Sequence, residues 1–369
     1  MIFLQYAFGD VQMVSEALQA ACDNAMRSSR RGDTRAGIDL ARHAYRLARQ
    51  ESPEAELEAL NAMALCQTAN GSFIESIATC IDVIGLARQH ANRHAAAFAL
   101  TTMAGSASFI LDANNVVLEM LRVCRSEADA LDDTPLKVRI HNTFGLVYGN
   151  LGRFDEGDLE YDEGIALVDM ADGRAALITP GYLIMGNKAF LSVQRAKAAS
   201  AEAFPALAEV AEGRIQNVLG IATVEMNIDA EARALFCLGQ LRTLQHRIAE
   251  ALEAFGQALS RATQIRHNPR LLDTNIEISK VYASEMQFEK ALEAMEEAYQ
   301  IADANRPTAK VASTCEGIAA MYASLKRERD AAHYRARTVR ERETFGRENE
   351  IAVRDLSAFW QTIAADRFS

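Results

Sequence analysis

The chain has 369 residues, of which 49% are hydrophobic and 24% charged, with only 6 prolines and 20 glycines. Its formal net charge of −11 argues against nucleic acid as a direct partner, because phosphate binding needs a basic surface. No apolar run reaches about 18 residues, the length a membrane span needs, so none is expected.

The opening MIFLQYAFGD lacks a basic start and meets Asp10 at once. It does not read as a signal peptide, so residues 1–20 are set apart as an N-terminal segment and a cytoplasmic location is expected. Cys22, Cys66, Cys80, Cys124, Cys237 and Cys315 are scattered and form no C-x-x-C pair. Neither a zinc site nor a disulfide framework follows. Small buried thiols are expected instead, with no metal and no cofactor.

A degenerate helical unit is read over Arg30–Gln50. Beyond it a recurrence sets in. Small residues stand at Ala64, Gly105, Gly145, Gly186, Gly239, Ser279 and Ala319, and a second series at Ser76, Val117, Gly157, Ala198, Ala251, Ala291 and Ala331. Successive gaps in both series are 41, 40, 41, 53, 40 and 40. The segment His141–Leu167 shows the unit most plainly: Phe144-Gly145, Tyr148, Gly152, Phe154 and Tyr161 describe two helices joined by a tight turn at Gly152. Leu252, Phe255, Ala258 and Leu259 make an apolar stripe of helical period. One hairpin cannot bury such a stripe alone, but a stack of them can. Turn signals at Asp132–Pro135, Ala171–Gly173 and His267–Pro269 fall between pairs.

These motifs resemble the tetratricopeptide repeat, with a period near 40 like the repeats of maltose-regulator-type transcription activators and some bacterial sensor proteins. The resemblance covers about residues 20–340. It implies an all-α, right-handed α-solenoid of about seven or eight helical hairpins over residues 21–338, followed by a C-terminal capping or signalling helix over 339–369. The gap of 53 implies lengthened helices or an added one near 199–230, and a junction between sub-arrays there.

The resemblance also implies that the first helix of each pair lines a surface where a partner peptide lies. Carried over by position, that surface includes Asn61, Asn142, Asn150, Asn187, Gln240 and Lys280. Asn and Gln can pair with both groups of a peptide backbone; the alternative is that they only keep a wet groove soluble. His90 and His94 stand four apart, either as two imidazoles on one helix face or as the start of a helix between units. The acidic run Asp155, Glu156, Asp158, Glu160, Asp162 and Glu163 lacks the order of a calcium loop and is expected on a solvated helix face. The seven Lys/Arg of 326–342 are read the same way.

After Val339 the repeat stops but helix formers continue. Ala352, Leu356, Phe359 and Ile363 make a short heptad-like seam with Trp360 beside it. This stripe is expected to cap the last repeat; a homodimer through it is the alternative. No phosphate loop, nucleophile elbow or H-E-x-x-H motif is present. The chain therefore reads as a binding module for a protein or peptide rather than an enzyme. The alternative is a regulatory sensor region of a bacterial signalling protein, of the diguanylate cyclase or transcription activator type.

Overall fold

The computed structural model describes residues 15–30, 34–109, 114–170, 175–305 and 308–366. Residues 1–14 of the N-terminal segment and the Ala171–Gly173 turn lie outside the described residues. Sixteen helices follow one another, with no strand among the described residues: α1 (Glu16–Arg30), α2 (Thr34–Ala48), α3 (Pro53–Asn70), α4 (Phe73–Gln89), α5 (Arg93–Ala107), α6 (Asn114–Ala130), α7 (Thr134–Asn150), α8 (Phe154–Asp169), α9 (Ala175–Ala198), α10 (Phe204–Val224), α11 (Ile228–Leu244), α12 (Ile248–Gln264), α13 (Asn268–Ser284), α14 (Phe288–Asn305), α15 (Thr308–Ser324) and α16 (Glu328–Asp366). None is long and apolar enough to cross a membrane. The chain divides into two compact units, residues 1–191 with 349–369, and residues 192–348.

The 40-residue period has a local cause. A 17-residue helix such as α11, α12 or α13 is followed by a three-residue turn whose middle residue takes a left-handed backbone. Those residues are Met226, His246, Arg266, Met286 and Lys326 in the second unit, and Ala91, Asp132 and Gly152 in the first; the shorter turn after α3 has two residues, with Gly71 in the left-handed backbone. Each turn also starts the next helix. Before first helices, the following residue caps it: Asn92, Asp133 and Asn227 side chains accept from the amides of Ala95, Leu136 and Ala230. Before second helices, Arg153, Arg247 and Arg327 instead hold an acid in the first turn, at Glu156, Glu250 and Asp330.

The two small-residue series turn out to be the two sides of one helix crossing. The Ser76 hydroxyl donates to the Ala64 carbonyl at 3.1 Å and the Ser279 hydroxyl to the Ala291 carbonyl at 2.6 Å. A Cβ on Gly157 would stand 3.2 Å from the Gly145 carbonyl. At the same crossings aromatic rings lie on the glycines. A Cβ at Gly145 would be 2.4 Å from Tyr161 Cε1, and one at Gly239 2.5 Å from Phe255 Cδ1.

Ala198 does not belong to this series as expected. It ends α9, and the second helix of that pair starts only at Phe204. The thirteen extra residues are spread through the pair: α9 has 24 residues, seven beyond the usual 17, α10 has 21, four beyond, and the turn between them has two more than the usual three. The gap of 53 is thus two lengthened helices, not an added one.

Within each unit the hairpins stack side by side as in an α-solenoid. The first helices make a continuous layer: α1 touches α3, α3 touches α5 and α5 touches α7, while α11 touches α13 in the second unit. The core of the first unit is built from Leu57, Ile84, Leu100, Met103, Leu121, Ile140 and Phe144. That of the second, around α13–α16, includes Met295, Tyr299, Ile318, Tyr322 and Ala331. All six cysteines are buried and none forms a disulfide. Burial pushes the Cys80 and Cys124 thiols up to about 12, so they are unreactive.

The C-terminal stripe behaves differently from the expectation. α16 is one helix of 39 residues. Its beginning, at Ala331 and Tyr334, packs with the last pair. The stripe of Ala352, Leu356, Trp360 and Ile363 is buried in the core of the first unit instead, with Phe359 packed against it. The Trp360 indole N–H donates to Glu119 on α6 at 3.0 Å. The seam therefore does not cap α15. It is also covered by the chain's own core, which leaves it no free apolar face for a homodimer in this conformation.

Candidate functional site

The layer of first helices in the first unit carries the candidate site. Asn142 stands on α7 and Asn187 on α9, and the Asn187 side-chain N–H donates to Asn142 Oδ1 at 2.8 Å. The two amides bridge neighbouring hairpins. Asn142 lies three residues before the crossing residue Gly145, and Thr102 holds the same register before Gly105 on α5.

One helical turn before Asn142 stands Arg139. Its guanidinium lies 4.5 Å from the centre of the Phe98 ring on α5, and Nη2 donates to Thr102 Oγ1 at 2.9 Å. The Thr102 hydroxyl spends its one proton on the Phe98 carbonyl at 3.0 Å, so it meets Arg139 as an acceptor. Arg139 makes no ion pair among the described residues, and its Nε is buried with no hydrogen-bond acceptor. Burial alone drives its pKa down, to about 10, because no carboxylate lies near enough to oppose it.

The other anticipated residues do not join this site. Asn61 on α3 is only 1% exposed, with neither side-chain atom hydrogen-bonded, so it presents nothing to a partner in this conformation. Asn150 is exposed at the end of α7, its amide 3.4 Å from the Ser108 carbonyl. In the second unit, Gln240 on α11 is half-buried with Oε1 unsatisfied. Lys280 is exposed on α13 and pairs with Glu277 on its own helix at 2.7 Å. The reading of asparagines and glutamines as peptide ligands passed over Arg139, Phe98 and Thr102. Register was the available signal: Thr102 repeats the position of Asn61 and Asn142, and Arg139 is on the same face one turn earlier.

The two histidines do not share a helix. His90 ends α4, while His94 lies in the first turn of α5 with Nε2 2.6 Å from Asp133. The acidic run is less solvated than expected. Glu160 accepts from Arg125 on α6 and from His141 on α7, at 2.6 and 2.9 Å, and Asp162 pairs with Lys188 on α9. Burial tends to raise the Glu160 pKa, but the bonds from His141 and Arg125 outweigh it and hold the carboxyl below its usual range. His141, Glu160 and Glu163 bring ligand-type atoms within 4.8 Å of one another. Arg125 already occupies both oxygens of Glu160, which makes the cluster an ion-pair knot tying α6, α7 and α8 together. In the second unit a cleft of about 490 Å³ is lined by Phe204, Pro205, Ala208 and Glu209 of α10 with Gln245. The basic run of α16 is largely matched by acids, through Arg327–Asp330, Arg337–Asp303 and Arg342–Glu316.

No family model and no curated protein matches the sequence. Solved structures match it by fold. A Rap protein, solved in complex with competence and sporulation factor, superposes with a TM-score of 0.52 at 10% identity, over 91% of this chain and 100% of that one. A signal transduction ATPase with a tetratricopeptide repeat sensor, from Pyrococcus horikoshii, gives a TM-score of 0.51 at 13% identity, over 82% of this chain and 46% of that one. With the hairpins, crossings and first-helix layer described above, the chain has the fold of a tetratricopeptide-type helical-repeat protein.

Proposed function

We propose that this chain is a binding module for a protein or peptide, and that the partner's backbone is held on the first-helix layer of its first unit by Asn142 and Asn187. The observation that carries the reading is the amide pair itself. Asn187, itself buried, donates to Asn142 Oδ1 from the neighbouring hairpin at 2.8 Å, which orients the half-buried Asn142 amide so that its own N–H can meet a partner's carbonyl. An extended peptide offers the complementary groups at every residue. Helical-repeat layers suit such contacts because each hairpin adds one more row of side chains. A regulatory sensor region would use the same surface, so both readings share this step. The role is one of binding, without a catalytic step.

The test is capture of partners by the full chain. Asn142→Ala combined with Asn187→Ala should lower capture from a native extract while the far-ultraviolet circular dichroism stays unchanged. Undiminished capture by the double variant would overturn the assignment.

A further inference from the structure

We infer that His141, Glu160 and Glu163 form a binding site for a divalent transition-metal ion of the zinc type, set between α7 and α8. The inference goes beyond the peptide reading and does not depend on it. The three side chains bring one ring nitrogen and two carboxylate oxygens within 4.8 Å of one another. His141 Nδ1 lies 2.9 Å from Glu160 Oε2 and 3.4 Å from Glu163 Oε2. In a tetrahedral site with bonds of about 2.0–2.1 Å, neighbouring donor atoms stand about 3.3 Å apart, so an ion needs only small side-chain shifts to sit among these three. The Glu163 side chain, 64% exposed, has the room to make them and leaves the fourth position open to water. Glu160 and Glu163 are one helical turn apart on α8 and share a face. Gly164 brings α8 close to α7: a Cβ there would stand 3.1 Å from His141 Cβ.

The electrostatics favour a cation. Arg125 donates to Glu160 from α6, its guanidinium held 4.2 Å from the centre of the Phe144 ring. It fixes the carboxylate without exhausting it, because each carboxylate oxygen has two lone pairs. The second lone pair of Oε2 meets His141. A metal ion takes the place of the Nδ1 proton in that gap, and Arg125 stays as an outer partner that orients the ligand. The ring's proton then resides on Nε2, which is the neutral form a metal ligand needs. With that neutral imidazole, one guanidinium faces two carboxylates, and the neighbouring Lys188 is already shared by Asp158 and Asp162. The excess of negative charge is local, and a divalent ion answers it. One imidazole and two carboxylates suit zinc, cobalt or nickel. They fall short of the about six to eight oxygens of a calcium site, and magnesium keeps most of its own waters at such side chains.

The experiment titrates the metal-free full chain with zinc chloride against a competing chromogenic chelator, and with cobalt chloride followed by its visible absorption. The wild type is compared with Glu163→Gln, His141→Gln and Asp162→Asn. Asp162 carries the same charge one residue away and pairs with Lys188, so its variant reports the effect of lost acidity alone. The wild type should take up zinc saturably, and Glu163→Gln should weaken the tightest uptake by about ten-fold or more. His141→Gln should abolish the tetrahedral cobalt spectrum, while Asp162→Asn should change neither readout comparably. Zinc should raise the melting temperature of the wild type and of Asp162→Asn, and should do so much less for Glu163→Gln. Where His141→Gln folds poorly, Glu163→Gln, altered at an exposed side chain, decides alone. The inference is overturned by the absence of saturable zinc uptake, by uptake that Glu163→Gln leaves unchanged, or by an equal loss in Asp162→Asn. Magnesium or calcium displacing zinc at equal concentration would overturn it as well.

Discussion

Gly145→Ala adds a single methyl group at a helix crossing, and the structure fixes where it must go. The new Cβ would lie 2.4 Å from Tyr161 Cε1, 2.5 Å from Cζ and 2.7 Å from Cδ1. Carbon atoms rest at about 3.5–4.0 Å, so the ring must withdraw by about 1 Å or the two helices must part. Tyr161 is 1% exposed and has no open space to retreat into. Overpacking of this kind costs about 1–3 kcal/mol, and the clash with three ring atoms argues for the upper part of that range. Alanine's better helix propensity gives back about 1 kcal/mol. The net expectation is a loss of about 1–2 kcal/mol, which lowers the melting temperature by several degrees at about 2–4 °C per kcal/mol for a unit of this size. Gly85→Ala, on α4 of the same unit, is the control: nothing lies within 4 Å of its Cβ, so propensity acts alone and the protein should gain up to about 1 kcal/mol. Thermal melts followed by circular dichroism compare the two. A Gly145→Ala protein as stable as Gly85→Ala would refute the crossing geometry and with it the register of the repeat.

Other substitutions probe the turns, the C-terminal helix and a buried acid. Met286→Gly relieves a left-handed backbone of φ 56° at an exposed turn, and urea titration should show a gain of up to about 1 kcal/mol. Trp360→Ala removes a side chain that is 8% exposed and its bond to Glu119; a loss of about 3–5 kcal/mol in the first unit is expected, with no change of oligomeric state by light scattering. Glu58 is 3% exposed, and burial, reinforced by Asp23 and Glu51, pushes its pKa up to about 7. A carboxyl raised in the folded state costs nothing below its unfolded pKa and costs increasingly as pH rises towards 7, where the unfolded chain alone is ionised. Glu58→Gln should therefore stabilise the protein by on the order of 1–3 kcal/mol at pH 8, with the gain vanishing near pH 4 in parallel denaturation curves.

The repeat was legible because it is written in small residues. Gly145, Gly239 and Ser279 cannot be large where two backbones meet, so their spacing survives whatever the rest of each helix does. Ala198 shows the limit of such reading. An alanine at the right interval is common in any helix, and only the continuous hydrogen bonding of α9 through that position separates the end of one helix from the start of the next. The seam of Ala352, Leu356 and Ile363 gave its period but not its partner, because an apolar stripe is the same whether it meets the last repeat, a second copy or the core of the first unit. Arg139 was hidden for a further reason: it stands out only because no carboxylate lies near it among the described residues, and absence of a partner in space leaves no mark in sequence. Asn61 carried the same position label as Asn142, yet is enclosed within a much more buried helix, α3.

Peptides selected from a random display library against the folded chain, then titrated against the wild type and the Asn142→Ala/Asn187→Ala protein, test the binding claim most directly. The account predicts that the selected peptides lose about ten-fold or more in affinity for the double variant, at unchanged circular dichroism. A library that yields no binder, or binders that hold the double variant as tightly as the wild type, would contradict it.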